Sequence, residues 1–280
     1  MTDFFANEAA TISLFSGAMG AFFGAVGAQF IATRSDKKRS IQLEINKTRS
    51  ARAICFSICN QYLSLKKQHT KSLIEDYEKS RLEVIEKLKK HLPNFEMTIN
   101  FEANMHTLPF PHSLVKELQN TLFLNVSLNE KSFSCLNALS SSIAALEETI
   151  KMRNEMISRW QNEKIDPMEF AYSFLGIENK NGQDTKYKDT MEGIKQYLDD
   201  CIFFSSLLDS LLVQHHNKLI SNKIYFLSKD TRMYKTIWVS KEHKDLIPDD
   251  SEYQDWLKGF VTPDKWYKQI WMNRKNYFCF

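Results

Sequence analysis

Side chains able to do chemistry are few in this chain, and their spacing does not assemble a reaction centre. Cys55 and Cys59 stand four apart on one helix face and offer two metal ligands, but a structural zinc site takes four and no nearby histidine completes it. His215 and His216 are adjacent and so point in different directions, His215 along a hydrophobic seam and His216 off it. Asp199, Asp200 and Asp209, with Glu147 and Glu148, read as the solvated outer faces of amphipathic helices. Ser140-Ser141-Ser142 and Ser205-Ser206 fall in helical stretches, where hydroxyls bond to preceding carbonyls, and no Gly-x-Ser-x-Gly elbow is present. Gly176, Gly182, Gly193 and Gly259 are too scattered to cradle a phosphate. The expectation is a protein with no catalytic residues, no metal and no cofactor. Five dispersed cysteines, an odd number, predict free thiols in a reducing compartment.

The informative residues are instead the other four glycines. The chain has 280 residues, 43% of them apolar and 25% charged, with 8 glycines and 6 prolines, so it is expected to fold. Half of those glycines, Gly17, Gly20, Gly24 and Gly27, lie in the uncharged stretch 9–33. As a helix, its 25 residues extend about 37 Å, enough to cross a hydrocarbon core about 30 Å thick. Seven cations follow within residues 34–52, whereas residues 53–280 hold 30 charges of each sign, so the net charge of +3 originates beside this stretch. By the positive-inside rule the acidic tail (Asp3, Glu8) lies outside and the rest in the cytoplasm of an inner membrane. Without a basic segment ahead of it, the stretch reads as a retained anchor and not a cleaved signal.

At 100° per residue, Ile12, Phe15, Met19, Phe22, Phe23, Val26 and Phe30 fall within an arc of about 100°. Gly17, Gly20, Ala21, Gly24, Ala25, Gly27 and Ala28 occupy the remainder, leaving a nearly bare backbone flank. In lipid such a flank lets another helix approach closely, so self-association through it is expected. The run Gly20-x3-Gly24-x3-Ala28 resembles the glycine-zipper pattern of membrane helices that self-associate. Arg34, Lys37, Lys38 and Arg39 are then placed to meet anionic headgroups.

Elements downstream are predicted to be mainly α: a single transmembrane helix continuing into a cytoplasmic antiparallel helical bundle with a small aromatic-rich C-terminal cap. The boundaries read 1–34 for tail and span, 35–221 for the bundle and 222–280 for the cap. No proline or glycine interrupts residues 35–92, and Ile54, Ile58, Tyr62, Leu65, Leu73, Tyr77, Ile85 and Leu88 mark a helical face ended by Pro93. A second helix is expected near Pro111–Ser113 with a break around 126–132, because Asn125, Asn129 and Ser132 put polar groups on the seam. Leu136, Leu139, Ile143, Leu146, Ile150, Arg153, Ile157 and Trp160 then form a heptad seam, and Met191 to Leu219 forms another through Leu198, Leu208, Leu212 and His215. Met168–Leu175 reads as a short helix ended by Gly176, and 178–185 as a polar loop. Residues 222–280 carry 13 aromatics; a hairpin over 223–239 and short helices near 251–258 and 263–274 are expected there.

Two functional readings follow. The first is a membrane-anchored interaction or effector protein that self-associates and couples a cytoplasmic protein partner or signal to the membrane. Its layout resembles that of small membrane-tethered effectors encoded beside bacterial anti-phage systems. The second is a tethered nucleic-acid or nucleotide sensor reading through the basic-aromatic set Trp266, Tyr267, Trp271, Arg274 and Lys275, which would equally suit partner binding. Charge balance over residues 53–280 disfavours nucleic acid, since phosphate contacts need a cationic surface.

Overall fold

The computed structural model describes residues 2–90, 100–179, 182–221 and 245–260, with side chains from residue 15 onward. It is mainly helical. One helix, α1 (Thr2–Leu65), runs unbroken from the apolar stretch into the body. Nothing in it favours a stop, because Lys, Arg, Gln, Glu, Ile and Leu dominate after Thr33 and no proline intervenes. A π turn, Lys66–Thr70, joins α1 to α2 (Lys71–Lys90). The reason lies in the spacing of buried side chains: Ile58, Tyr62 and Leu65 step by four and three, then Thr70 comes five later, before Leu73 and Tyr77 resume. One wide turn, closed by the Lys71 N–H on the Lys66 carbonyl, absorbs the five-residue step.

Helix α3 (Val115–Asn125) begins slightly later than the prolines predicted. The chain breaks at Val126 and restarts as α4 (Glu130–Asn162), where the Asn129 side chain accepts the Ser132 N–H at 2.8 Å. The expected break is therefore an N-cap. Helix α5 (Pro167–Leu175) is capped by Asp166, which accepts from Met168 and Glu169, and ends at Gly176 with φ +60°, a conformation that favours glycine. Residues 178–185, expected as a loop, contain a minimal antiparallel pair, β1 (Glu178–Asn179) and β2 (Gly182–Gln183). Helix α6 (Lys186–Ile220) follows, and a 3₁₀ turn (Asp250–Tyr253) leads into α7 (Gln254–Lys258). The hairpin proposed over 223–239 and the helix over 263–274 lie outside the described residues.

Packing follows the seams. All eight positions from Leu136 to Trp160 are buried, against an α6 face that includes Met191, Ile194, Leu198, Cys201, Leu208 and Leu212. Cys135 meets Phe204 and Gly193 meets Thr149, so α4 and α6 are antiparallel. Helix α1 also runs antiparallel to α6, from Lys66 beside Asp199 to Glu44 beside His215. Arg153, the lone polar member of its seam, is fully buried and donates to the carbonyls of His106 (2.8 Å) and Asn104 (3.3 Å). Asn154 exchanges two 2.8 Å bonds with the Leu108 backbone, so the irregular segment 100–114 is stitched to α4. At that end Tyr77, Phe101, Trp160, Phe170, Phe174 and Tyr187 form one aromatic cluster.

On α6 the seam departs from the heptad after Leu212. His216 and Ile220 are buried, whereas His215 and Leu219 are partly exposed. An α-helix turns 3.6 residues and not 3.5, so a straight helix drifts off a strict heptad and the buried stripe moves one position on. This corrects the assignment of the two histidines.

Leu146, fully buried between α4 and α6, tests the seam. Leu146→Ala is expected to cost about 2–5 kcal/mol, read as a thermal midpoint lowered by about 5–15 °C in detergent.

Candidate functional site

Burial divides α1 sharply. Every residue from 15 to 40 is exposed, and burial starts only at Ile41 and Ile45. Among the described residues one helix is long and apolar enough to cross a membrane, and none of its apolar window is covered by the other described residues. Phe15 is 70% exposed, Phe22 and Phe23 63%, and Phe30 68%. A methyl group added at Gly17, Gly20, Gly24 or Gly27 would meet nothing within 4 Å. Ala21, Ala25 and Ala28 are exposed beside them, so the small-residue flank predicted from the sequence lies open along its length. Arg34, Lys37, Lys38 and Arg39 continue on the same exposed helix, forming a neck between the apolar half and the body. Trp266, Tyr267, Trp271, Arg274 and Lys275 lie outside the described residues.

Where the neck enters the body, polar links flank the apolar seam of Ile45, Ala51 and Cys55. Arg52 Nε donates to Asp209 Oδ1 at 3.0 Å, and Arg49 Nε donates to His216 Nε2 at 3.4 Å. Glu44 pairs with His215 at 2.9 Å and accepts the Ser127 N–H at 2.8 Å. Helix α6 and the α3–α4 corner are thus tied to one stretch of α1. Asp209 corrects the expectation of a solvated acidic face, because it is fully buried. Asp199 and Asp200 are likewise engaged: Asp199 pairs with Lys66 at 2.5 Å, and Asp200 accepts from the Tyr253 hydroxyl at 2.8 Å. Lys66 also donates to the Leu246 carbonyl (3.0 Å), and Tyr253 stacks on Phe203 at 3.7 Å, which seats residues 245–260 on α6.

The electrostatics of this junction follow from its geometry. Burial lowers the affinity of His216 for a proton, and Arg49, Arg52 and His215 beside it lower it further, against an opposing bond with Asn217. The ring is therefore neutral at pH 7, and accepting at Nε2 places its proton on Nδ1. Burial would raise Glu44, yet the Ser127 N–H and the His215 ring outweigh it and hold the carboxyl below its usual range. The thiols behave in the opposite way. Burial pushes Cys135 up to about 12, and Cys55, Cys59 and Cys201 are raised as well, so all four are protonated. Among the described residues no three His, Cys, Asp or Glu side chains converge to hold a metal.

Sequence reasoning missed Asp209, His216 and their arginine partners. The available signal was Asp209 directly beside Leu208 in a helix apolar on most sides, where a carboxylate needs a partner.

Two outcomes test the junction. Asp209→Leu leaves the Arg52 guanidinium without its carboxylate and is expected to cost about 3–5 kcal/mol, whereas the double variant Arg52→Met/Asp209→Leu recovers most of that loss. His216 binds a proton less readily folded than unfolded, so its contribution is present above about pH 6.5 and declines as pH falls through that value. Thermal midpoints from pH 7.5 to 5 should therefore fall more steeply for the natural chain than for His216→Gln. No protein-family model, curated protein or solved structure matches this chain.

Proposed function

We propose that this is a single-pass membrane protein whose copies associate through the Gly17–Ala28 flank, with residues 35–221 forming a cytoplasmic helical bundle, capped by 222–280, that acts as an interaction or effector module. The supporting observation is the uncovered apolar half of α1. Four exposed phenylalanines at about 1.5–3 kcal/mol each represent about 6–12 kcal/mol of unrealised burial, comparable with the whole stability of a domain. Lipid supplies the missing apolar surroundings. It also gives the glycines a role, since they cost about 1 kcal/mol each in a water-exposed helix but permit close helix contact in a membrane.

Signal transfer runs along α1. A cytoplasmic partner or signal that repacks the body changes how α6 and the α3–α4 corner hold Glu44, Arg49 and Arg52. The unbroken helix carries that change to the membrane, where the glycine flank has two arrangements, apart or docked. Arg34, Lys37, Lys38 and Arg39 anchor the neck to anionic lipid at about 1 kcal/mol per cation.

The membrane claim is checked by fractionation: the full chain stays with membranes through an alkaline wash and leaves them only in detergent. For association, Gly20→Ile with Gly24→Ile is expected to abolish crosslinked oligomers while leaving insertion intact. Crosslinking that is unchanged in that variant removes the glycine flank as the interface.

A further inference from the structure

We infer that the α3–α4 corner, Phe123, Leu124 and Phe133, is a second membrane contact that sets the direction in which the protein leans on the bilayer. This rests on the proposed span. Leu124 is 80% exposed, the highest value among the large apolar side chains described, and Phe123 and Phe133 are about half exposed with ring centroids 5.6 Å apart. An uncovered apolar group of this kind marks a contact surface. Its place in the fold identifies the occupant. The Ser127 N–H on Glu44 puts the corner at the end of the body from which the neck emerges, and α3 lies directly against α1.

A span tilted toward the corner brings the corner to lipid. At about 37 Å it exceeds a core of about 30 Å, and a tilt of about 35°, within the range spans adopt, would absorb the whole excess. Because α1 is continuous, the body must tilt with it. Glu44 lies eleven residues beyond Thr33, about 16 Å along the helix, which becomes about 13 Å of depth at that tilt. A point displaced about 10–15 Å from the α1 axis, one helix spacing plus a side chain, is lifted by about 6–9 Å on the leaning side. The corner then sits about 5–8 Å from the hydrocarbon edge, the thickness of the headgroup layer. Glu130 and Lys131 beside it carry opposite charges, so the corner itself adds no net repulsion from anionic lipid.

The test uses the full chain with Cys279→Ser in mixed phosphatidylcholine and phosphatidylglycerol vesicles; the other four thiols are buried and resist labelling. An environment-sensitive fluorophore is attached through Phe22→Cys, Leu124→Cys or Leu82→Cys, the last on exposed α2 far from the neck. Nitroxide-bearing lipids quench at headgroup or acyl depth. The expected result is acyl-depth quenching at 22, headgroup-depth quenching with blue-shifted emission at 124, and water-like emission at 82. Phe133→Asp should abolish quenching at 124 and preserve it at 22. A water-like probe at 124 with a quenched probe at 22 overturns the corner contact and leaves the span standing. Shielded emission at 124 that no lipid quenches, and that vanishes at one chain per vesicle, assigns the corner to a second copy and overturns the proposal. An unquenched probe at 22 removes the span and the corner together.

Discussion

Apolar side chains gain by leaving water, and the phenylalanines within residues 15–40 of α1 find no cover from other elements among the described residues. That constraint orders the rest of the structure. The body needs no help from the apolar half, since its own seams bury Leu136 to Trp160 against α6. The apolar half contributes nothing to that core. Among the described residues the two regions share only the helical backbone, so what happens at one end would reach the other through the stiffness of α1. The absence of glycine and proline between Thr33 and Leu65 preserves that stiffness.

The junction between neck and body is built differently from either part. An apolar seam can accept a shift of a whole turn or heptad, because one leucine then takes the place of another. A buried carboxylate does not, because Asp209 displaced from Arg52 is an unpaired charge in a low-dielectric interior. The Arg52–Asp209, Arg49–His216 and Glu44–His215 links therefore fix the register of α1 against α6 more than they add net stability. Fixed register at this level is what a rigid connection to the neck requires. The opposite end is held by the aromatic cluster around Phe174 and by Lys66, where residues 245–260 are seated.

In the membrane arrangement proposed above, a continuous α1 would also make the body's orientation at the bilayer depend on the span. Length mismatch, the basic neck and the apolar α3–α4 corner would there act on one rigid lever. Three weak preferences on one lever combine into a defined pose, whereas a flexible linker would let each relax alone.

The sequence by itself determined whatever depends on local period and local conformation. The apolar stretch 9–33, the seam from Leu136 to Trp160, the Gly176 stop and the break before α4 were legible because each is encoded within a few turns of helix. Arg153 was legible on its seam, but tertiary structure alone decided which polar residues off the seams are inside. Asp209 and His216 lie on the flanks of a seam, where a heptad pattern predicts solvent, and they are buried because α1 supplies Arg52 and Arg49 from more than 150 positions away. The π turn at Lys66–Thr70 and the exposure of the α3–α4 corner belong to the same class. Each depends on which surfaces of distant helices meet, and helix periodicity carries no information about that.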